Sequence, residues 1–104
     1  MLEHLSAPQF AAQLDTAFQV VFEDVAPLTL QLCEVAEVDS GPAQEQFSLL
    51  FRGPGDRVLS QGLCRMQHQR LGELALFLVP IGPDEQGMQY EAVFNRFRRS
   101  ARPA

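Results

Sequence analysis

The chain has 104 residues, 46% of them hydrophobic and 20% charged, with a formal net charge of −5, the balance of one soluble globular domain rather than a disordered or collagen-like chain. All eight basic residues are arginine, which excludes Schiff-base chemistry, a lysine general base and a phosphate loop ending in Gly-Lys-Ser/Thr. Residues 1–95 hold thirteen acids against four arginines, a formal charge of −9, so the body of the protein repels nucleic acid.

Ser6, Ala7 and Pro8 precede Phe10, Ala11 and Leu14 at helical spacing. Serine as N-cap with proline in the first turn predicts a short helix over about 6–14. From Thr16 the period changes to two: Phe18, Val20 and Phe22 alternate with Gln19 and Val21, a strand that stops at Glu23 and Asp24. After Pro27, Leu28, Leu30 and Leu32 alternate with Thr29 and Gln31, but Val35 falls out of phase. An odd step along a period-two strand turns a side chain to the other face unless one extra residue is absorbed, which predicts a bulge near Cys33 and Glu34.

DSGPAQEQ, residues 39–46, reads as loop. Phe47, Leu49 and Phe51 then alternate with Ser48, Leu50 and Arg52, and GPGDRVLSQG is again loop. Leu63 to His68 reads as a strand, and QRLG as a short hairpin connection into GELALFLVPIG, Gly72 to Gly82. This segment is apolar on both faces: Leu74, Leu76 and Leu78 point one way, Ala75, Phe77 and Val79 the other. Met88 to Asn95 alternates as the last strand.

Six strands without intervening helices pair antiparallel. The expected fold is therefore all-β with a short N-terminal helix: a six-stranded antiparallel small barrel or barrel-like sandwich, which leaves few sheet edges. Residues 1–95 form this single domain, and 96–104, with Arg96, Arg98, Arg99 and Arg102, a flexible Arg-rich tail. Eight phenylalanines against one tyrosine and no tryptophan predict a Phe-rich core. The Leu74 row should face inward. Ala75, Phe77 and Val79 should face outward, covered by the N-terminal helix or, if the helix packs elsewhere, by a partner.

No residue set calls for a catalytic, cofactor or metal site. Gly53, Pro54, Gly55 and Asp56 lack the following helix a phosphate cradle needs, and GPDEQG, Gly82 to Gly87, offers too few oxygens for calcium. Cys64 and His68, at i and i+4, share a strand face and provide the one candidate nucleophile and base, or two of the four ligands a structural zinc needs. With no third partner, they read instead as a structural thiol and a surface histidine. The acids, Glu23, Asp24, Glu34, Glu37, Asp39 and Glu91 among them, read as a solvated face. Cys33 and Cys64, without a signal peptide or a CxxC pair, read as reduced buried cysteines of a cytoplasmic protein, and no stretch approaches the ~20 apolar residues of a membrane helix.

MLEHL, FSLLFRGP from Phe47 to Pro54, and ELALFLVPIGPDEQGMQYEAVFN from Glu73 to Asn95 resemble a family of small bacterial domains of unknown function. That resemblance carries over no catalytic residue. It implies an encoding near genes for phage-tail collar or microcystin-dependent-type proteins, and so a part in a tail-like assembly. The expected function is a non-enzymatic structural or protein-interaction module that binds itself or a protein partner, with no membrane target; nucleic-acid binding through the arginine tail, Arg96 to Ala104, is a third reading that the acidic body opposes. A small-molecule-binding barrel or minor enzyme using Cys64 and His68 is the alternative.

Overall fold

A computed structural model of the chain describes residues 5–38, 41 and 44–97. One helix, α1 (Ala7–Ala11), precedes six strands: β1 (Ala17–Val20), β2 (Leu28–Val38), β3 (Gln44–Gly53), β4 (Gly62–His68), β5 (Gly72–Asp84) and β6 (Gly87–Phe97). All pairs are antiparallel, and the sheet closes on itself in the order β1-β2-β3-β6-β5-β4. The ring is closed by β1 against β4, through Phe18↔His68, Gln19↔Gln67 and Val20↔Met66. The expected six-stranded, all-β architecture with one short helix is the observed one.

The helix is shorter than its apolar spacing suggests. Gln9 Oε1 accepts the Ser6 backbone N–H at 2.8 Å and the Ser6 hydroxyl at 3.2 Å, and Pro8 sits in the first turn, so the start is as expected. The last N–H groups then reach back only three residues, Gln13 to Phe10 and Leu14 to Ala11, and Asp15 turns left-handed at φ 68°. Asp15 N–H bonds to Leu32 C=O at 2.7 Å. Fixing the chain to β2 at this point ends the helix at Ala11 and leaves Leu14 exposed rather than in the core.

Strand alternation delivers the interior. Phe18, Val20, Leu28, Leu30, Leu32, Phe47, Leu49, Phe51, Met66, Leu74, Leu76, Leu78, Tyr90 and Ala92 are all buried in one cluster, and each large apolar side chain so removed from water contributes roughly 1.5–3 kcal/mol. On β2 the register jumps from Leu32↔Phe51 to Glu34↔Leu50, so Cys33 is the bulged residue and Val35 pairs with Leu49. The bulge stands where the phase of Val35 required it. A second irregularity, between Pro80 and Gly82 on β5, falls where proline and a positive-φ glycine interrupt the strand.

Several boundaries differ from expectation, and β5 runs on through Gly82 and Pro83 to Asp84 before β6 starts at Gly87. Gln44, Glu45 and Gln46 are strand rather than loop, pairing with Phe97, Arg96 and Asn95. Arg96 and Phe97, assigned to the tail, therefore continue β6; the rest of the expected tail lies outside the described residues. β1 stops at Val20, two residues before Phe22. Among the described residues, no helix is long and apolar enough to cross a membrane.

The ends of the ring are closed differently. At the end where β1 begins, Phe10 of α1 is fully buried, its ring centroid 6.1 Å from that of Phe47 and 5.7 Å from that of Phe94, while Phe47 and Phe94 stack at 4.5 Å. At the opposite end, residues 54–61 cross from β3 to β4, which are not neighbours. Leu59 N–H donates to the hydroxyl of buried Tyr90 at 2.8 Å. Arg57 bonds the carbonyls of Ala26 and Pro27, with its guanidinium 5.2 Å from the centroid of Phe22.

Candidate functional site

His68 ends β4 on the same inward face as Cys64 and Met66, and it is buried, with 6% of its surface exposed. The expected surface histidine is therefore an interior one. Its Nδ1 accepts two backbone N–H groups, from Arg70 at 3.0 Å and Leu71 at 3.1 Å. An acceptor nitrogen carries no proton, so the neutral ring holds its hydrogen on Nε2. Nε2 lies 2.7 Å from Thr16 Oγ1, and Thr16 Oγ1 lies 2.6 Å from Gln13 C=O. The hydrogen-bond direction is thus fixed: imidazole N–H to threonine hydroxyl, threonine O–H to carbonyl. The ring also packs 4.2 Å from the centroid of Phe18. Burial first, and then the charge of Arg70, push the His68 pKa down.

These contacts follow from local sequence. β4 and β5 are joined by three residues, 69–71, followed at the start of β5 by Gly72 at φ 78°, a left-handed position that favours glycine. The imidazole fills this turn and satisfies two of its amides. Thr16 reaches it from the α1–β1 corner.

Cys64 shares the inward face with His68, as its spacing implies, but the two are not brought together. Four residues along a strand span about 13 Å, far beyond hydrogen-bond reach. Cys64 is half-buried, its thiol 3.7 Å from Gly62 C=O, and burial pushes its pKa up, the opposite of what a thiolate nucleophile needs. Cys33 is also free and half-buried rather than fully buried. Among the described residues, no group of three or more His, Cys, Asp or Glu side chains could hold a metal ion.

The outward face of β4 and β5 carries the apolar side chains singled out from the sequence. Phe77 pairs with Leu63 across the two strands, and they are 51% and 71% exposed. Ala75 and Val79 beside Phe77 are half-buried. α1 does not cover them: it plugs the end of the ring through Phe10, because there the aromatic side chain is removed from water completely.

One polar cluster, centred on Asp84 of the GPDEQG segment, gives no sign of itself in the sequence. Asp84 Oδ2 accepts from Arg52 Nη2 at 2.7 Å, Arg52 Nε at 3.2 Å and Gln89 Nε2 at 2.5 Å, and Asp84 Oδ1 accepts Gln86 N–H at 2.8 Å. Arg52 Nη1 also donates to Cys33 Sγ at 3.3 Å. The cluster joins β2, β3, β5 and β6 on the outside of the ring. A shallow groove of about 270 Å3 lies over β2, β3 and β6, lined by Val38, Gln46, Phe47, Ser48, Val93, Phe94 and Asn95. Amides, a hydroxyl and apolar groups line it, with no titratable side chain for proton transfer.

An apolar interior, polar clusters spent on tying loops to strands and an uncovered apolar row outside define a small all-β domain. The chain belongs to the family described as a domain of unknown function, DUF6916, which it matches over residues 5–94. No curated protein and no solved structure matches it.

Proposed function

We propose that the chain is a non-enzymatic protein-interaction module that associates through the outer face of β4 and β5, with a second copy of itself as partner, in the cytoplasm. The observation that carries this reading is the outward cross-strand pair Leu63 and Phe77, 71% and 51% exposed. Neighbouring exposed apolar side chains rimmed by polar residues are the kind of surface that protein partners cover. Arg65 and Glu73 stand on the same outward face, giving a polar rim in which opposite charges meet when two such faces pack.

The patch is small, so the association is weak, with a dissociation constant of roughly micromolar to millimolar. Light scattering on the eluting chain should give a mass above the 11.6 kDa monomer at high concentration. The double variant Leu63→Ser/Phe77→Ser should elute as monomer with its thermal unfolding little changed, since both side chains are outside the core. A wild-type chain that stays monomeric at millimolar concentration contradicts the reading.

The finer form of the proposal is a bacterial accessory component of a phage-tail-like assembly. Its support is the likeness of MLEHL, FSLLFRGP and ELALFLVPIGPDEQGMQYEAVFN to proteins with such gene neighbours. Copurification of the full chain with tail-like particles, lost in the double variant, is the expected result, and particles devoid of the chain would refute it. The alternative enzyme at Cys64 and His68 draws no support from the geometry, since both imidazole nitrogens are engaged and the thiol is remote.

A further inference from the structure

We propose that His68 is an acid-sensitive latch: protonation of its ring releases the β4–β5 turn and the α1–β1 corner from each other while the rest of the ring of strands holds. The geometry leaves the imidazole no free position for a second proton. Nδ1, the site that must take it, is the acceptor for the amides of Arg70 and Leu71 at 3.0 and 3.1 Å. A proton there turns two hydrogen bonds into N–H groups facing an N–H group, so both turn amides lose their acceptor at once. The other nitrogen already donates to Thr16, whose hydroxyl is committed to Gln13. Loss of the ring's position therefore reaches the corner that sets α1 over the end of the ring.

Among the described residues, none offers the imidazolium an anionic partner at hydrogen-bond distance. The nearby elements contribute Arg70 in the turn, Asp15 at the corner and Glu73 at the start of β5, all exposed, while α1 carries no charged residue. Phe18 packs on the ring face. Burial and Arg70 hold the pKa below its ordinary 6.5. The sign follows: a group with a depressed native pKa contributes stability above its unfolded pKa and loses it as pH falls. The latch is closed at neutral pH and opens in mildly acidic solution.

The test is NMR of the intact chain titrated from about pH 7.5 to 4.5, with ring 15N shifts and amide protection factors followed together. His4→Gln leaves His68 as the single imidazole. The expected result is an Nε2–H tautomer at the start, then a fall of about tenfold or more in protection of the Arg70 and Leu71 amides as the ring titrates, with the Leu49 and Phe51 amides unchanged. A ring that titrates at its ordinary value with both turn amides still protected overturns the proposal. So does a ring that stays neutral until the whole protein unfolds. His68→Phe gives a second reading: if it folds, its turn amides should be unprotected at every pH, and pH-dependent protection there would also count against the latch.

Discussion

Asp84 gathers two donors from Arg52, one from Gln89 and one from its own turn. The Arg52 bonds first, then those of Gln89 and Gln86, hold its carboxyl far below the ordinary 3.8. A depressed native pKa contributes stability above the unfolded value and loses it as pH falls through the acid range. The stability difference between wild type and Asp84→Asn, read as urea midpoints from pH 6 to pH 2, should therefore be largest near pH 6 and shrink below about pH 4. A constant difference would show that Asp84 titrates normally. GPDEQG announces a turn because glycine and a short polar run favour one. It does not announce Arg52, whose place beside Asp84 depends on aligning β3, β6 and β5. His68 was hidden for the same reason: alternation with Cys64 and Met66 puts it on the inner face, but its polar ring suits that face only once Thr16, 52 residues away, supplies an acceptor.

Among the elements, the strands were legible where apolar and polar residues alternate and illegible where pairing alone sustains them. Leu28, Leu30 and Leu32, with Val35 out of phase, defined both β2 and its bulge. Gln44, Glu45 and Gln46 read as loop because their side chains are polar, yet a ladder is built from backbone groups and accepts polar residues at a strand end. α1 was recognised from its start, Ser6 and Pro8, and overextended at its end, where Asp15 is fixed by Leu32, a contact remote in sequence. The helix matters through one side chain. Phe10→Ala removes a fully buried ring from contact with Phe47 and Phe94, which should cost about 3–5 kcal/mol in chemical denaturation. A loss below about 1 kcal/mol would mean that α1 is not the plug of that end.

For the whole molecule, six strands without helical crossovers left antiparallel closure as the economical arrangement, and β1 meeting β4 completes it. Sequence could not decide where the helix goes, because both the outer row of Phe77 and the open end of the ring offered an apolar surface. The end wins by burying Phe10 entirely, and the consequence is an uncovered Leu63–Phe77 row. Comparing amide spectra of the full chain over a dilution series examines that consequence directly. We expect concentration-dependent shifts confined to Leu63, Arg65, Ala75, Phe77 and their immediate neighbours. Spectra unchanged on dilution, or shifts centred on the outer face of β2 and β3, would contradict the account.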